Sequence, residues 1–261
     1  MEDFLFPKHI AVLDFETTGQ DPRKSEVIEG AVALVKIGED GKVEGVVERY
    51  ESFNEPGAPI PPFIEQLTGI NDAMVKGHKI DWAAFNSLCD KAELLVAHNA
   101  KFDRGFLEVH SGAKGKRWAC SSSMIEWRST HRMPCGHLKH LAWEHNHFPV
   151  AHRAMSDVDT VVHLLGLPCR GKEGKTYGQE MLETFDHRHF LVSAVNSPFE
   201  TKDILKDQRF RWNAKKRVWW RLVAEDQLPE VETFLSEQVY AGNPRHTKVE
   251  VDPLDPNCIE E

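Results

Sequence analysis

No apolar run in this 261-residue chain approaches the ~20 residues that a helical membrane span requires. The opening MEDFLFPKHI carries two acids and no basic cluster before an apolar stretch, so it does not read as a secretory signal. Both absences point to a cytoplasmic protein with no membrane partner. Cysteine is sparse: Cys89, Cys120, Cys135, Cys169 and Cys258 are scattered, odd in number and form no C-x-x-C pair, which argues against a disulfide framework. Positive charge is also short, with 32 Lys+Arg against 41 Asp+Glu and a net charge of −9. A generally basic surface is therefore excluded, and any polyanionic partner must be held by local charge or by metal ions. There is no internal repeat.

What is present suits one medium domain plus a smaller one. Residues 9–15, 27–37 and 43–53 are strand-like runs separated by turn chemistry at Thr17-Thr18-Gly19, Asp21-Pro22 and Glu39-Asp40-Gly41-Lys42, which predicts an antiparallel meander. Helical patterns follow near 63–67 and 81–91, then a short strand at 93–97, then helices near 100–110, 120–129, 136–146 and 154–166. Strands first and helix–strand–helix later predicts an α/β domain over 1–167, a mixed sheet flanked by helices. The Gly- and Lys-rich stretch from Leu167 to Lys175 opens an expected linker over 168–185. A small α+β domain is expected over 186–243, with strands HFLVSAV and RVWWRLV and helices TKDILKD and LPEVETFLSEQV. Residues 244–261 read as a loosely ordered acidic tail.

Asp14 and Glu16 stand two apart in an apolar run, so on a strand they share one face. Two carboxylates there would repel and be costly to desolvate unless a divalent cation sat between them. Alternatively the strand ends at Leu13 and both acids lie on a solvated loop. Asp103 repeats the puzzle on a helical stripe shared with Phe106 and Leu107, although an acid in a helix's first turn is common. Asp157 precedes Val161 and Leu164 on the inward stripe of 154–166, whereas Asp159 falls away from it and reads as solvated. His152, in AHRAMSD, enters that helix and suits a general base. Each acid alone has an ordinary explanation; four at the edges of apolar elements favour a shared metal site.

The motifs D-x-E-T-T-G at Asp14–Gly19, H-N-x-x-F-D at His98–Asp103 and H-x-x-x-x-D at His152–Asp157 resemble those of the DEDDh (DnaQ-like) exonuclease superfamily, and Leu67-Thr68-Gly69-Ile70-Asn71 resembles its intervening segment. Order and spacing agree over roughly residues 8–167. The resemblance implies a ribonuclease H-like fold and 3′→5′ hydrolysis assisted by two divalent cations, Mg²⁺ or Mn²⁺, about 4 Å apart. It implies that Asp14, Glu16 and Asp157 hold the ion that activates water. Asp14 would bridge to a second ion supported by Asp103, and His152 would take the proton as a nucleoside 5′-monophosphate leaves. Phe15, Thr17 and Thr18 would position the terminal nucleotide, with Phe102 nearby.

Two other clusters invite attention. His131, Cys135, His137, His140, His145, His147 and His152 hint at zinc, but no second ligand pair has finger-like spacing, and the segment reads as one amphipathic helix. Between Lys202 and Arg221 eight cations face two acids, interleaved with Phe210 and three tryptophans. Arg211, Trp212, Lys215, Lys216, Trp219 and Trp220 are thus candidates for gripping a single strand, by phosphate neutralisation and base stacking. Some of those tryptophans must instead be core in so small a unit. The string KDILKDQRFRWNAKKRVWW also resembles a module appended to several nucleic-acid enzymes. The expected activity is trimming of single-stranded DNA 3′ ends, favoured over RNA. The rivals are an exoribonuclease, a polymerase-associated proofreading subunit, and a binding protein with a vestigial catalytic domain. A homodimer and a polymerase or DNA-repair partner stay open.

Overall fold

Burial on both faces makes β1, His9–Thr17, the middle of a sheet: Ile10, Ala11, Val12 and Leu13 are each at most 1% exposed. The computed structural model describes residues 6–149 and 152–255, in two compact units, Met1–Phe185 and Asp186–Glu261. In the first unit β1 runs antiparallel to β2, Val27–Ile37, and β2 antiparallel to β3, Val43–Phe53, as the meander reading expects. Two parallel strands, β4 (Leu94–Ala97) and β5 (Trp118–Cys120), complete a five-stranded mixed sheet in the order β3-β2-β1-β4-β5.

Parallel pairing needs crossovers, and helices supply them. Between β3 and β4 come α1 (Pro62–Thr68), α2 (Asp72–Val75) and α3 (Trp82–Lys91). The Leu67–Asn71 segment turns the chain between the first two: Gly69 takes φ +73° and the Asn71 side chain caps α2 by accepting from the Met74 N–H. Helix α4, Ala100–His110, joins β4 to β5. Then follow α5 (Leu138–Glu144), α6 (Ala154–Gly166) and α7 (Tyr177–Asp186). Helices α3 and α6 both pack against β1, β2 and β3. Among the described residues no helix is long and apolar enough to cross a membrane.

Three expectations need correction. Residues 121–130 form turns rather than a helix: Met124, Ile125 and Trp127 are buried at quasi-helical spacing, but the Trp127 indole N–H donates to the Ser121 carbonyl and folds the segment back. The helix expected through the His-rich stretch covers only Leu138–Glu144. Residues 168–185 are no linker. Pro168 bridges Thr176, and α7 buries Tyr177, Met181 and Leu182 in the first unit. The Gly- and Lys-rich composition marks only the turn between them, closed by the Cys169 N–H to the Lys175 carbonyl.

The second unit is a four-stranded antiparallel sheet in the order β7-β8-β6-β9: β6 is His189–Ala194, β7 Arg211–Asn213, β8 Val218–Ala224 and β9 Thr247–Val251. Helices α8 (Lys202–Asp207) and α9 (Leu228–Phe234) contribute Leu205, Leu228 and Val231 to a core with Val192, Ala194, Phe210 and Val223. A π-helical turn, Leu235–Val239, prolongs α9 over the expected length. The expected acidic tail is corrected as well, because β9 lies inside it. Its alternating Thr-Lys-Val-Glu-Val is polar enough to pass for a tail, yet it suits an edge strand. Residues 256–261 lie outside the described residues.

Candidate active site

Asp14 and Glu16 occupy one face of β1 just before a register shift between Glu16 and Thr17, opposite Ala31 and Glu29 of β2. Alternation sends Phe15 to the other face, where it is 3% exposed, stacked on Phe85 at 5.3 Å and edge-on to Trp82 at 6.0 Å. The Phe15 side chain is therefore a core group of β1 and α3 rather than a pocket wall. Its backbone N–H, however, donates to Oδ1 of Asp103 at 3.2 Å, which ties the first turn of α4 to the strand beside Asp14. Asp103 is 2% exposed.

Helix α4 leaves β4 through Asn99 in a left-handed conformation, φ 86°. His98 fixes that departure. Its Nε2–H donates to the Gly136 carbonyl at 2.7 Å, so Nδ1 is the acceptor for the Ser121 hydroxyl at 2.8 Å. Burial lowers its pKa to about 4, so the ring is a neutral strut. Phe102 is half-buried, tilted on Phe106 at 4.8 Å. Thr17 is buried and its hydroxyl donates to the Gly19 carbonyl; the Thr18 hydroxyl accepts from the Glu26 N–H. Both threonine side chains thus shape the loop leaving β1.

Asp157 lies in the first turn of α6, where its carboxylate accepts the His152 backbone N–H. A carboxylate oxygen of Glu16, one of Asp157 and a ring nitrogen of His152 all lie within 4.8 Å of one another. The electrostatics register this crowding. Burial, then Asp103, Asp157 and Glu16, push Asp14 well above the usual carboxylate range. Burial, Asp157 and Glu29 raise Glu16 to about 8, with Arg153 opposing. Burial raises Asp103 despite its backbone hydrogen bonds, and raises Asp157 to about 6. Burial and Lys139 lower His152, leaving a neutral imidazole near pH 7. Four carboxylates that cannot all ionise side by side are a hard oxygen donor set, and they fit divalent cations.

The sequence reading passed over Glu29, which is 4% exposed in the apolar run VIEGAVALV. Its signal was the one used for Asp14: an acid where an aliphatic residue belongs. Asp159 lies apart from these acids, in an exposed ion pair with Arg49. The His/Cys-rich segment gathers no three ligands of its own among the described residues. His131 instead meets Cys169 and Glu180, where Nε2 lies 2.6 Å from the Glu180 carboxylate.

In the second unit the three tryptophans separate. Trp219 packs against the core, and Trp212, its cross-strand partner, is 49% exposed. Trp220 faces the other side of the sheet beside Arg211, whose guanidinium lies 5.9 Å from the ring centroid. Lys215 and Lys216 are exposed in the β7–β8 turn, which Asn213 closes by accepting the Lys216 N–H.

The model of an exonuclease family, RNase_T, matches residues 11–165. The PolC-type DNA polymerase III of Halalkalibacterium halodurans is 39% identical over 108 residues, which are 40% of this chain and 7% of that protein. Its Streptococcus pyogenes counterpart is 36% identical over 102 residues, 38% and 6% respectively. The chain thus spans a small fraction of these relatives. Among solved structures, the zinc-bound complex of E. coli exonuclease I with single-stranded DNA aligns at TM-score 0.50 and 17% identity, over 61% of this chain and 40% of that one. Exonuclease I from Methylocaldum szegediense aligns at 0.51 and 18%, over 65% and 42%. At such identities the likeness establishes the fold, a ribonuclease H-like mixed sheet flanked by helices. With the family model covering more than half of the chain and all three acidic motifs, the protein belongs to the RNase_T exonuclease family.

Proposed function

We propose that this exonuclease hydrolyses phosphodiester bonds at single-stranded DNA 3′ ends and releases nucleoside 5′-monophosphates, with two divalent cations, Mg²⁺ or Mn²⁺, held by Asp14, Glu16, Asp103 and Asp157. The observation that carries the reading is the convergence of these four carboxylates, from β1, α4 and α6, with uncompensated charge. Divalent cations bound there would polarise the phosphoryl oxygens and make water a better nucleophile. His152, neutral and within 4.8 Å of Glu16 and Asp157, is placed to accept the water's proton on a ring nitrogen. Asp157 accepts the His152 backbone N–H and so orients it. The second unit adds affinity for the strand through Trp212, Trp220, Arg211, Lys215 and Lys216.

Single-stranded DNA as substrate is supported by the strand bound to E. coli exonuclease I in its complex. The likeness to PolC-type polymerases favours a second reading, proofreading beside a polymerase. The test uses 3′- and 5′-labelled DNA and RNA oligonucleotides with Mg²⁺, Mn²⁺ or EDTA. Mononucleotide release from a DNA 3′ label, abolished by EDTA, is expected. Faster trimming of RNA would overturn the substrate, and activity surviving EDTA would overturn the metal site. Preference for a mispaired primer end over a free single strand would favour proofreading.

A further inference from the structure

Glu29 is a fifth acid at the site, and its geometry decides what it does. It stands opposite Glu16 in the β1–β2 register, so the two carboxylates rise from the same face of the sheet. A ligand would keep an oxygen free. Glu29 does not: Oε1 accepts from Arg153 Nε at 3.1 Å and Nη2 at 2.9 Å, while Oε2 accepts from Arg153 Nε at 3.2 Å and from the Ala154 backbone N–H at 2.9 Å. Both oxygens are occupied by the chain that enters α6.

That chain needs holding. The first N–H groups of a helix have no partner inside it, and Arg153, in the N-cap position, makes no side-chain cap. Glu29 caps the helix from another strand and puts negative charge at its positive end. The Arg153 guanidinium also lies over the Phe53 ring of β3, 5.2 Å from the centroid, so it is pinned from two strands. On one side of Arg153 is His152, left-handed at φ 61°, a conformation a residue with a Cβ adopts at a cost. On the other is the first turn of α6, where the Asp157 N–H donates to the Arg153 carbonyl at 3.0 Å. His152 and Asp157 therefore share one anchor, and the anchor is Glu29.

We propose that Glu29 and Arg153 form a positioning clamp that holds His152 and Asp157 against Glu16, and so sets the affinity of the site for its cations. The inference rests on the metal-site reading above. Partners that orient ligands typically change metal affinity or activity about 10–100-fold when altered.

The test is Mn²⁺ titration calorimetry on the chelator-stripped full chain, with wild type, Glu29→Gln, Glu29→Ala, Arg153→Lys and Asp14→Asn, alongside kcat and KM on a 3′-labelled oligonucleotide. The clamp predicts about 10–100-fold weaker Mn²⁺ binding in the three clamp variants at unchanged stoichiometry, with kcat falling and KM held. Glu29→Gln should retain more affinity than Glu29→Ala, because the amide oxygen still caps Ala154. Should Glu29→Ala fail to fold, Arg153→Lys decides alone, since its side chain is 40% exposed and the change is mild. Wild-type Mn²⁺ affinity in Arg153→Lys, with binding lost in Asp14→Asn, would overturn the clamp and leave the metal site standing. Loss of one bound ion in Glu29→Gln would make Glu29 a ligand and equally overturn it. Unaltered binding in Asp14→Asn would sink the metal site itself, and the clamp with it.

Discussion

Glu16 and Glu29 face each other across β1 and β2, yet only Glu29 is clasped by an arginine fork. Burial, Asp157 and that same Glu29 push Glu16 up to about 8. A folded-state value above the usual carboxylate range stabilises the fold at low pH, and this contribution is lost as pH rises through the raised value. The loss begins near the ordinary values, 3.8 for Asp157 and 4.5 for Glu16, and is complete once pH passes the raised ones, about 6 and about 8, so the window runs from about pH 4 to about pH 8. The chelator-stripped protein should therefore lose thermal stability across this window, by about 2–4 °C for each kcal/mol of repulsion. Saturating Mn²⁺ should restore it, and Glu16→Gln should flatten the slope. A melting temperature that climbs across this window without metal would contradict the electrostatic picture.

Asp103, Asp157 and Glu16 all raise the pKa of Asp14, so its loss should be felt most. Asp14→Asn keeps the shape and removes the charge. A bound cation contributes several kcal/mol of transition-state stabilisation, so 3′-end release should fall about 10³-fold or more. Oligonucleotide binding through the second unit should persist. Cleavage within tenfold of wild type would remove Asp14 from the site.

His152 should govern rate rather than binding. His152→Ala is expected to lower kcat about 10²–10⁴-fold with little change in KM. Burial and Lys139 hold its pKa below the ordinary 6.5, so the neutral form persists to lower pH than for a free imidazole. In wild type, activity should stay level down to that lowered value and then fall with protonation. The acidic limb should vanish in the variant; an unchanged limb would assign the titration to another group.

The meeting of His131, Cys169 and Glu180 has the ligands of a zinc site and the hydrogen bonds of a latch. His131 Nδ1 accepts the Gly171 N–H, so Nε2 carries the proton given to Glu180, whose other oxygen takes Lys172 at 3.0 Å and the Glu126 N–H. No imidazole lone pair is left for an ion. Zinc should leave the melting temperature unchanged, whereas Glu180→Ala should cost about 3–5 kcal/mol by stranding its buried partners. Zinc-induced stabilisation that is lost in Glu180→Ala would reverse the assignment.

The site was more legible than its frame. Asp14, Glu16, Asp103, His152 and Asp157 could be found because carboxylates at the edges of apolar elements are costly, and a costly residue stands out in a pattern. Glu29 carried the same signature but sat near the start of its strand without a motif around it. Arg153 could not be read at all, since its partner is 124 residues away. The core position of the Phe15 ring was not read because a motif does not say which face a residue takes, whereas strand alternation does. The supposed linker failed for a related reason: glycines and lysines look solvated in sequence, yet Lys172 and Glu180 neutralise each other beside the core. Strand β9 was missed because edge strands tolerate the charges that also mark a tail.

The tryptophans of the second unit allow the sharpest separation of grip from scaffold. Trp219 packs against the core cluster, so Trp219→Ala should destabilise the unit, toward the low end of about 3–5 kcal/mol given its partial exposure. Trp212, 49% exposed, and Trp220, beside Arg211 on the other side of the sheet, offer rings to two different faces. A strand stacking on one of them should lose about 1–3 kcal/mol of binding when that ring alone is removed, roughly 5- to 150-fold in Kd. Trp212→Ala and Trp220→Ala, measured by fluorescence anisotropy on a labelled single strand in EDTA, therefore report which face binds. Lys215→Ala and Lys216→Ala should each lower the salt slope by about 1 if they contact phosphate. Wild-type affinity and salt slope in all four variants would return the basic–aromatic cluster to the role of a solubilised small domain.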